Sequence, residues 1–267
     1  MSTLSPPIGV GDLLRGWRQR RRLSQLDLSN EAEVSARHLS FVETGRSRPS
    51  RELLLHLAEH LEVPLRERNS LLLAAGYAPA FPERPLEDEA MDPVRDALDQ
   101  VLAGHEPYPA VIVDRRWDIV TANGPALSIF TEGVDPELLQ PPINAYRLGL
   151  HPKGLAPRVR NFGEYSAHLV TQLSRDVALS GSGELAVLLG EIKGYPGVER
   201  GSTVLTDPAQ LLFLPIRLGM ADGSELSLFS TIATFGTALD VTLAELSIEA
   251  FFPADKATQE ALQRRAG

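Results

Sequence analysis

The sequence contains no cysteine, which excludes several kinds of chemistry at the outset. Disulfide bonds, thiol catalysis and cysteine-ligated zinc sites all require that residue. No apolar run reaches membrane-spanning length, so we expect no membrane partner. The start, MSTLSPPIGVGD, lacks the charged and apolar segments of a signal peptide. These absences predict a cytoplasmic protein.

Lysine is absent from residues 1–80, where eleven arginines and nine acidic residues give a net charge of +2. The whole chain of 267 residues carries −9, so the remainder carries −11. A chain of this length is long enough for two domains. Long-range attraction to nucleic acid would be weak, so any DNA binding must depend on a local cluster of arginines.

Residues 24–49, SQLDLSNEAEVSARHLSFVETGRSRP, have the pattern of two short helices joined by a tight turn. Ser24 followed by Asp27 predicts a capping box, and Ser35 is placed to cap the second helix. Gly45 follows the last apolar position, where helix ends favour a left-handed residue. Two helices joined so closely pack at a steep angle, and the second can enter a DNA major groove.

The residues LSQ, VS and ETGRSRPS occur in the order and spacing found in the lambda-repressor-like (xenobiotic response element, XRE) family. Residues 9–76 resemble this family, which implies an all-α DNA-binding domain of five helices over 1–77. The resemblance also implies a structural ion pair between Arg18 and Glu43. The turn carries Glu33 where the family usually has glycine, and a left-handed Glu33 would cost about 1–2 kcal/mol.

The same resemblance implies which residues contact DNA. Bases are read from the start of the third helix and one turn later, and the guanidinium fork of Arg37 suits guanine. Gln25 would contact phosphate at the start of the second helix, and Arg46 and Arg48 are further expected phosphate contacts. The predicted base-reading residues are Ser35, Ala36, Arg37, Ser40 and Phe41. The other interpretation is a helix bundle whose arginines only solvate its surface.

Residues 78–91 combine proline with acidic residues, which predicts a linker. Beyond it, the apolar patterns predict an α+β domain. Strands are predicted over 108–114, 117–121, 211–218 and 225–235, and helices over 93–104, 125–130, 158–176 and 184–192. Residues 221–224 give a hairpin signal. Thr242 and Glu245 form a capping-box pattern that predicts a last main helix ending near Phe252, and residues 256–267 are expected to form a fraying helix or a tail.

Three segments of the second half occur in the order found in MmyB-like transcription regulators. They are YPAVIVDRRWDIVTAN, HPKGLAPRVRNFGEYSAHLV and FSTIATFGTALDVTLAELSIEAFFPAD. Residues 92–255 resemble the ligand-binding domain of that family. The resemblance implies a PAS-like fold with an antiparallel sheet, and an apolar effector such as a fatty acid. No cofactor is expected.

An apolar cavity is predicted between the 158–176 helix and the 211–218 and 225–235 strands. Apolar residues on both faces of the latter strand mean that both faces are covered. Ordinary packing explains this pattern as well as a cavity does, and the resemblance favours the cavity. Arg217 and His168 are the nearest partners for a carboxylate head group. The predicted ligand-binding residues are Phe162, Leu169, Leu173, Phe213, Arg217 and Phe229.

Two short motifs are better explained by structure than by chemistry. His56-x-x-Glu59-His60 fits an inverted zincin pattern, but it lies within a helix of the DNA-binding fold and has no evident third ligand. Residues 181–186, GSGELA, imitate a dinucleotide fingerprint, but a helix precedes them instead of the required strand. We therefore predict no metal site.

Together these patterns predict a sequence-specific DNA-binding transcription regulator that senses an apolar small molecule and is not an enzyme. A homodimer is expected, because one helix-turn-helix reads few base pairs and operators are usually two-fold. One alternative is a DNA-binding protein whose second domain only dimerises or binds a partner protein. Another is an enzyme with a DNA-binding appendage, although no nucleophile–base–acid set emerges from the spacing.

Overall fold

The computed structural model describes residues 9–198, 214–236 and 238–266. The chain divides into two compact units, and neither is contiguous in sequence. The first comprises residues 1–85 and 237–244, and the second comprises residues 86–236 and 245–267. Within the described ranges, no helix combines the length and the apolar character needed to cross a membrane.

Five helices from the start of the chain build the first unit, as predicted. Helices α1 to α5 span Val10–Arg20, Gln25–Glu31, Ala36–Glu43, Arg51–His60 and Leu65–Ala74. Their apolar faces form one core, and its fully buried side chains include Leu14, Leu28, Leu54, Leu57, Leu61, Leu71 and Leu72. Gly11 lets α1 approach α3 closely, because an added Cβ would lie 2.5 Å from the carbonyl oxygen of Val42.

Local side chains set the ends of these helices in the way the sequence predicts. The Ser24 hydroxyl accepts a hydrogen bond from the Asp27 N–H at 3.0 Å, and the Asp27 carboxylate accepts one from the Ser24 N–H at 2.9 Å. The Ser35 hydroxyl caps α3. Glu33 has a φ of 51°, so this turn does carry the left-handed strain of about 1–2 kcal/mol.

A buried ion pair joins α1 to α3, which confirms the predicted structural pair. Arg18 donates two hydrogen bonds to the Glu43 carboxylate, at 2.7 and 2.8 Å. The Gln25 amide donates a third at 2.8 Å, and the Arg15 guanidinium lies 3.6 Å away. Burial alone would raise the pKa of Glu43, but the hydrogen bonds from Arg18 and Gln25 outweigh it and lower that pKa.

The second unit is an antiparallel five-stranded sheet with helices, which confirms the predicted fold class. Strands β1 to β5 span Ala110–Val113, Ile119–Ala122, Ile216–Gly219, Glu225–Thr234 and Ser247–Pro253, in the sheet order β2-β1-β5-β4-β3. Helices α6 to α10 span Asp92–Gly104, Gly124–Phe130, Ala145–Leu150, Phe162–Ser180 and Gly183–Ile192. The other α-helices of the described ranges are α11, Val241–Ala244, which belongs to the first unit, and α12, Lys256–Ala266.

The predicted helix from Thr242 to Phe252 is wrong. Only α11 is helical there, and β5 follows it as the central strand of the sheet. The aromatic and β-branched residues Ile248, Phe251 and Phe252 suit a strand. Because β5 pairs with β1 on one edge and β4 on the other, long-range backbone hydrogen bonds outweigh the local capping signal.

Of the two forms expected for residues 256–267, a fraying helix or a tail, the structure shows a helix in the described part. Residues 256–266 form α12, and Leu262 is buried in the core of the second unit. The Thr258 hydroxyl accepts a hydrogen bond from the Ser227 N–H of β4 at 2.9 Å. One leucine and one threonine on an otherwise polar helix therefore suffice to anchor this segment to the sheet.

Helix α11 lies between β4 and β5 in the sequence but belongs to the first unit. Val241 is fully buried, and its N–H donates to the Pro82 carbonyl at 2.8 Å. The Asn69 side chain bonds to the backbone of Ala80 and Phe81 in the same unit. The segment up to Pro85, expected to be linker, is thus partly held by the helical unit.

We predict that Glu43→Ala lowers the free energy of unfolding at pH 7 by about 3–5 kcal/mol, because it leaves the buried Arg18 charge without its partner. The lowered pKa of Glu43 means that this contribution is complete above its ordinary value of 4.5 and is lost as pH falls through the folded-state pKa. The difference from wild type should therefore narrow in acid. Urea unfolding between pH 3 and pH 7 measures both effects.

The exposed Glu31→Ala provides the matched control, with an expected change of within about 0.5 kcal/mol. A loss of similar size in both variants would contradict the role assigned to the ion pair.

Candidate functional site

The first candidate site is the exposed side of α3, where the predicted base-reading residues lie together. Ser35 and Arg37 are exposed, while Ala36, Ser40 and Phe41 are half-buried. The Arg37 guanidinium lies 5.4 Å from the centre of the Phe41 ring, one turn further along the helix. This cation–π contact orients the guanidinium while leaving its N–H groups available to an acceptor.

His38 also lies on this exposed side, and the sequence patterns did not identify it. It lies in the first turn of α3, next to Arg37, and its side chain is exposed. An exposed imidazole in the first turn of such a helix was the signal that could have identified it.

The three predicted phosphate contacts differ in what else their side chains do. Arg46 is exposed, on the turn that follows α3. Arg48 donates two hydrogen bonds to the Ala75 carbonyl, at 3.0 and 2.7 Å, and lies 5.1 Å from the Tyr77 ring. Gln25 already donates to Glu43. Arg48 and Gln25 therefore hold the scaffold together, and each keeps only part of its hydrogen-bonding capacity for a ligand.

The two histidines of the zincin-like motif are engaged within the fold. A ring nitrogen of His56 lies 2.7 Å from the Ala32 carbonyl oxygen, which ties α4 to the turn after α2. The rings of His56 and His60 meet edge to face at 4.7 Å. Among the described residues, no group of three histidine or acidic side chains is placed to hold a metal ion.

The second candidate site is a cavity of about 60 Å³ between the sheet and helices α7, α8 and α9. Its aromatic lining consists of Trp117, Phe130, Tyr146, Tyr165 and Phe251. The aliphatic lining consists of Val111, Ile119, Ala145, Leu148, Leu155, Leu169 and Ile216. Gly149, Gln172 and Glu249 complete the wall. One water needs about 10–15 Å³ in such a cavity, so the space holds a small chemical group.

The polar groups of the cavity are partly or fully withdrawn from water. Tyr146 is 2 % exposed, and its hydroxyl has no hydrogen-bond partner among the described residues. Burial raises the pKa of both Tyr146 and Tyr165. Nearby carboxyl groups raise them further, those of Asp176 and Glu249 for Tyr146 and that of Glu249 for Tyr165. Burial also raises the pKa of Glu249 itself, against a hydrogen bond from Ser230 that lowers it. The cavity thus favours neutral forms of its own acidic groups.

Trp117 reaches the cavity from a strained backbone. Its φ of 65° lies in the left-handed region, at the turn between β1 and β2. The ring meets Tyr146 edge to face at 5.1 Å, and the indole partly offsets the rise that burial causes in the pKa of Asp176. Such a conformation costs about 1–3 kcal/mol and persists only where packing enforces it, so the position of this ring is firmly determined.

The structure separates the predicted ligand-binding residues. Leu169 lines the cavity, whereas Leu173, one turn further along α9, is fully buried where α9 packs against α10. Phe162, Arg217 and Phe229 line a different, open groove. Phe213 lies outside the described residues.

Arg217 illustrates why some of the predicted residues lie away from this cavity. It follows Ile216 in β3, and successive strand residues point to opposite faces of a sheet. Ile216 therefore lines the cavity, while the Arg217 guanidinium lies 2.8 Å from the Glu225 carboxylate. The cavity uses the predicted helix and β3, but β5 replaces the predicted β4 in its wall.

The comparisons with known proteins agree with this two-part arrangement. Residues 94–264, more than half of the chain, match the family described as MmyB-like transcription regulator ligand binding domain. The chain belongs to the MmyB-like transcription regulators. Residues 10–71 of this MmyB-like regulator match a helix-turn-helix domain family, which covers α1 to α4 and most of α5.

Individual relatives resemble parts of this MmyB-like regulator. The transcriptional regulator ClgR of Mycobacterium tuberculosis is 40% identical over 75 residues, 28% of this chain and 64% of the relative, which is less than two thirds of its length. A putative HTH-type transcriptional regulatory protein of Methanoculleus marisnigri is 33% identical over 123 residues, 45% of this chain and 39% of the relative.

One solved structure, of an RNA-binding light-oxygen-voltage receptor, aligns at 12% identity with a TM-score of 0.29. The alignment covers 97% of this chain and 62% of that chain. A similarity this low carries no argument about fold or function.

Proposed function

We propose that this MmyB-like regulator binds operator DNA through α3 and that an apolar small molecule in the cavity of the second unit changes its affinity for that DNA. The observation that carries the proposal is the pairing, in one chain, of an exposed arginine-bearing helix with a separate unit that contains an aromatic-lined cavity. Such coupling requires the effector to bind two conformations of the protein with different affinities.

Base reading is assigned to Arg37, with Ser35, Ala36, Ser40 and Phe41 around it. Arg46 is assigned to phosphate, because it is exposed on the turn directly after α3. We assign supporting phosphate contacts to Gln25 and Arg48. They would use the N–H groups that do not already donate to Glu43 or Ala75. We propose that the protein acts as a homodimer in the cytoplasm, since a single recognition helix reads too few base pairs for specificity.

The cavity supports an effector with an apolar body. An aliphatic chain gains about 0.8 kcal/mol for each methylene that it buries. Ligand pockets usually have about 300–1,000 Å³, so a long chain requires the cavity of about 60 Å³ to widen when it binds. A fatty acid would also have to bind as the neutral acid, because no cation lines the described cavity to pair with its carboxylate.

Arg37→Ala should weaken binding to the operator by about 1–3 kcal/mol and relax the preference at one base pair, since it removes a bidentate contact to guanine. Binding-site selection on both proteins measures the change. The exposed Arg264→Ala, on α12 in the second unit, is the matched control and should select the wild-type motif. If Arg37→Ala selects the same motif with the same affinity as wild type, Arg37 does not read bases.

Arg46→Ala should weaken binding to operator and random DNA alike and reduce the slope of log K against log salt by about one, because one phosphate contact is lost. Arg48→Ala should add a loss of thermal stability that Arg46→Ala does not show, because it also breaks the bonds to Ala75. A loss confined to operator DNA, with the salt slope intact, would contradict the assignment of Arg46.

Leu169→Trp should fill the cavity and abolish binding of 1-octanol, an uncharged aliphatic probe. Wild type at 100 times the Kd should gain about 2.7 kcal/mol of stability from the probe. Leu179→Trp, an exposed position on the same helix, is the matched control and should keep the wild-type response. If neither octanol nor an eight-carbon probe with another head group stabilises wild type, the effector proposal falls, and a second domain that only dimerises or binds a partner protein takes its place.

A further inference from the structure

The polar groups of the cavity restrict which kind of head group its ligand can carry. This inference rests on the function proposed above. The cavity-lining side chains that carry polar atoms are Trp117, Tyr146, Tyr165, Gln172 and Glu249. One of them is a carboxyl group, and none of the described lining residues is lysine, arginine or histidine. The lining is therefore rich in acceptors and has no cation of its own.

The position of Glu249 leaves its carboxyl group free for a ligand. Its backbone lies in the middle of β5, between Val111 on β1 and Ile232 on β4. The side chain shares the cavity face of β5 with Phe251, two residues further along the strand. No cationic side chain of the described residues lies within ion-pair distance of it, and the effect of Ser230 on its pKa is smaller than that of burial.

Two pairs of aromatic rings line the same cavity as this carboxyl group. Trp117 and Tyr146 meet edge to face at 5.1 Å, and Phe130 and Phe251 meet at 4.8 Å. Aromatic faces attract cations, and boxes of several rings are a general means of holding ammonium groups. The Tyr146 hydroxyl, buried and without a partner among the described side chains and backbone, adds an acceptor that a ligand N–H would satisfy.

We propose that this cavity selects an apolar molecule that carries a protonated amine, with Glu249 as its counter-ion and the Trp117 and Tyr146 rings around the ammonium group. An anionic head group would find no cation in the described lining to pair with. A neutral Glu249 in the empty cavity, consistent with its raised pKa, would ionise when an ammonium group arrives beside it.

Three probes that share one chain and differ in head group test the proposal: octylamine, 1-octanol and octanoate. Isothermal titration of each into the full chain at pH 7 gives their Kd values. We expect octylamine to bind at least about tenfold more tightly than octanoate, with octanol between them. Glu249→Gln should weaken octylamine by about tenfold while changing the Kd of octanol less than about threefold.

Two further variants separate a binding role from a structural one. Glu260→Gln removes an exposed carboxyl group on α12, outside the cavity, and should leave all three affinities unchanged. Glu249→Asp keeps the charge and should retain the preference for the amine. If Glu249→Gln does not fold, two measurements still test the proposal. One is the order of the three affinities for wild type. The other is the affinity of Tyr146→Phe for octylamine, which should be lower than that of wild type.

The outcomes distinguish failure of this inference from failure of the proposed function. Octanoate binding as tightly as octylamine, or a preference for the amine that survives Glu249→Gln, overturns the inference and leaves the effector proposal standing. Failure of all three probes to bind wild type overturns both, because the cavity then takes no apolar ligand.

Discussion

The carboxylate of Glu43 is the point at which three helices of the first unit converge. It ends α3, and it accepts hydrogen bonds from Arg18 on α1 and from Gln25 at the start of α2. A buried carboxylate is tolerated only when it is fully paired, so the three helices must hold one mutual geometry for the charge to be satisfied. The orientation of the exposed side of α3, and hence of Arg37, depends on that requirement.

Features that depend on neighbouring residues could be predicted from the sequence. The capping box of Ser24 and Asp27, the left-handed Glu33 and the hairpin after β3 each depend on a few adjacent positions. The central strand β5 could not be predicted in this way, because its stability comes from pairing with β1 and β4, and β1 lies far away in the sequence. Since β5 was taken for a helix, Glu249 and Phe251 were missed, and with them the carboxyl group of the cavity.

The cavity also shows that residues close together on one helix or strand can differ in whether they line it. Leu169 and Leu173 lie on the same face of α9 by helical spacing, yet only the first reaches the cavity, because α10 covers the second. Ile216 and Arg217 are adjacent in sequence, and the sheet sends them to opposite faces. Sequence patterns give the apolar face of an element, whereas the partner that covers each part of that face is a property of the tertiary structure.

The allocation of α11 to the first unit has a consequence for modularity. A helix encoded between two strands of the sheet completes the helical unit, so neither unit can be cut out as a single stretch of gene. A fragment ending at Pro85 would lack Val241, and a fragment beginning at Leu86 would carry that apolar side chain away from the residues that bury it. Recombination that exchanged one unit for another would need three breakpoints, so the two halves of this chain are expected to be inherited together.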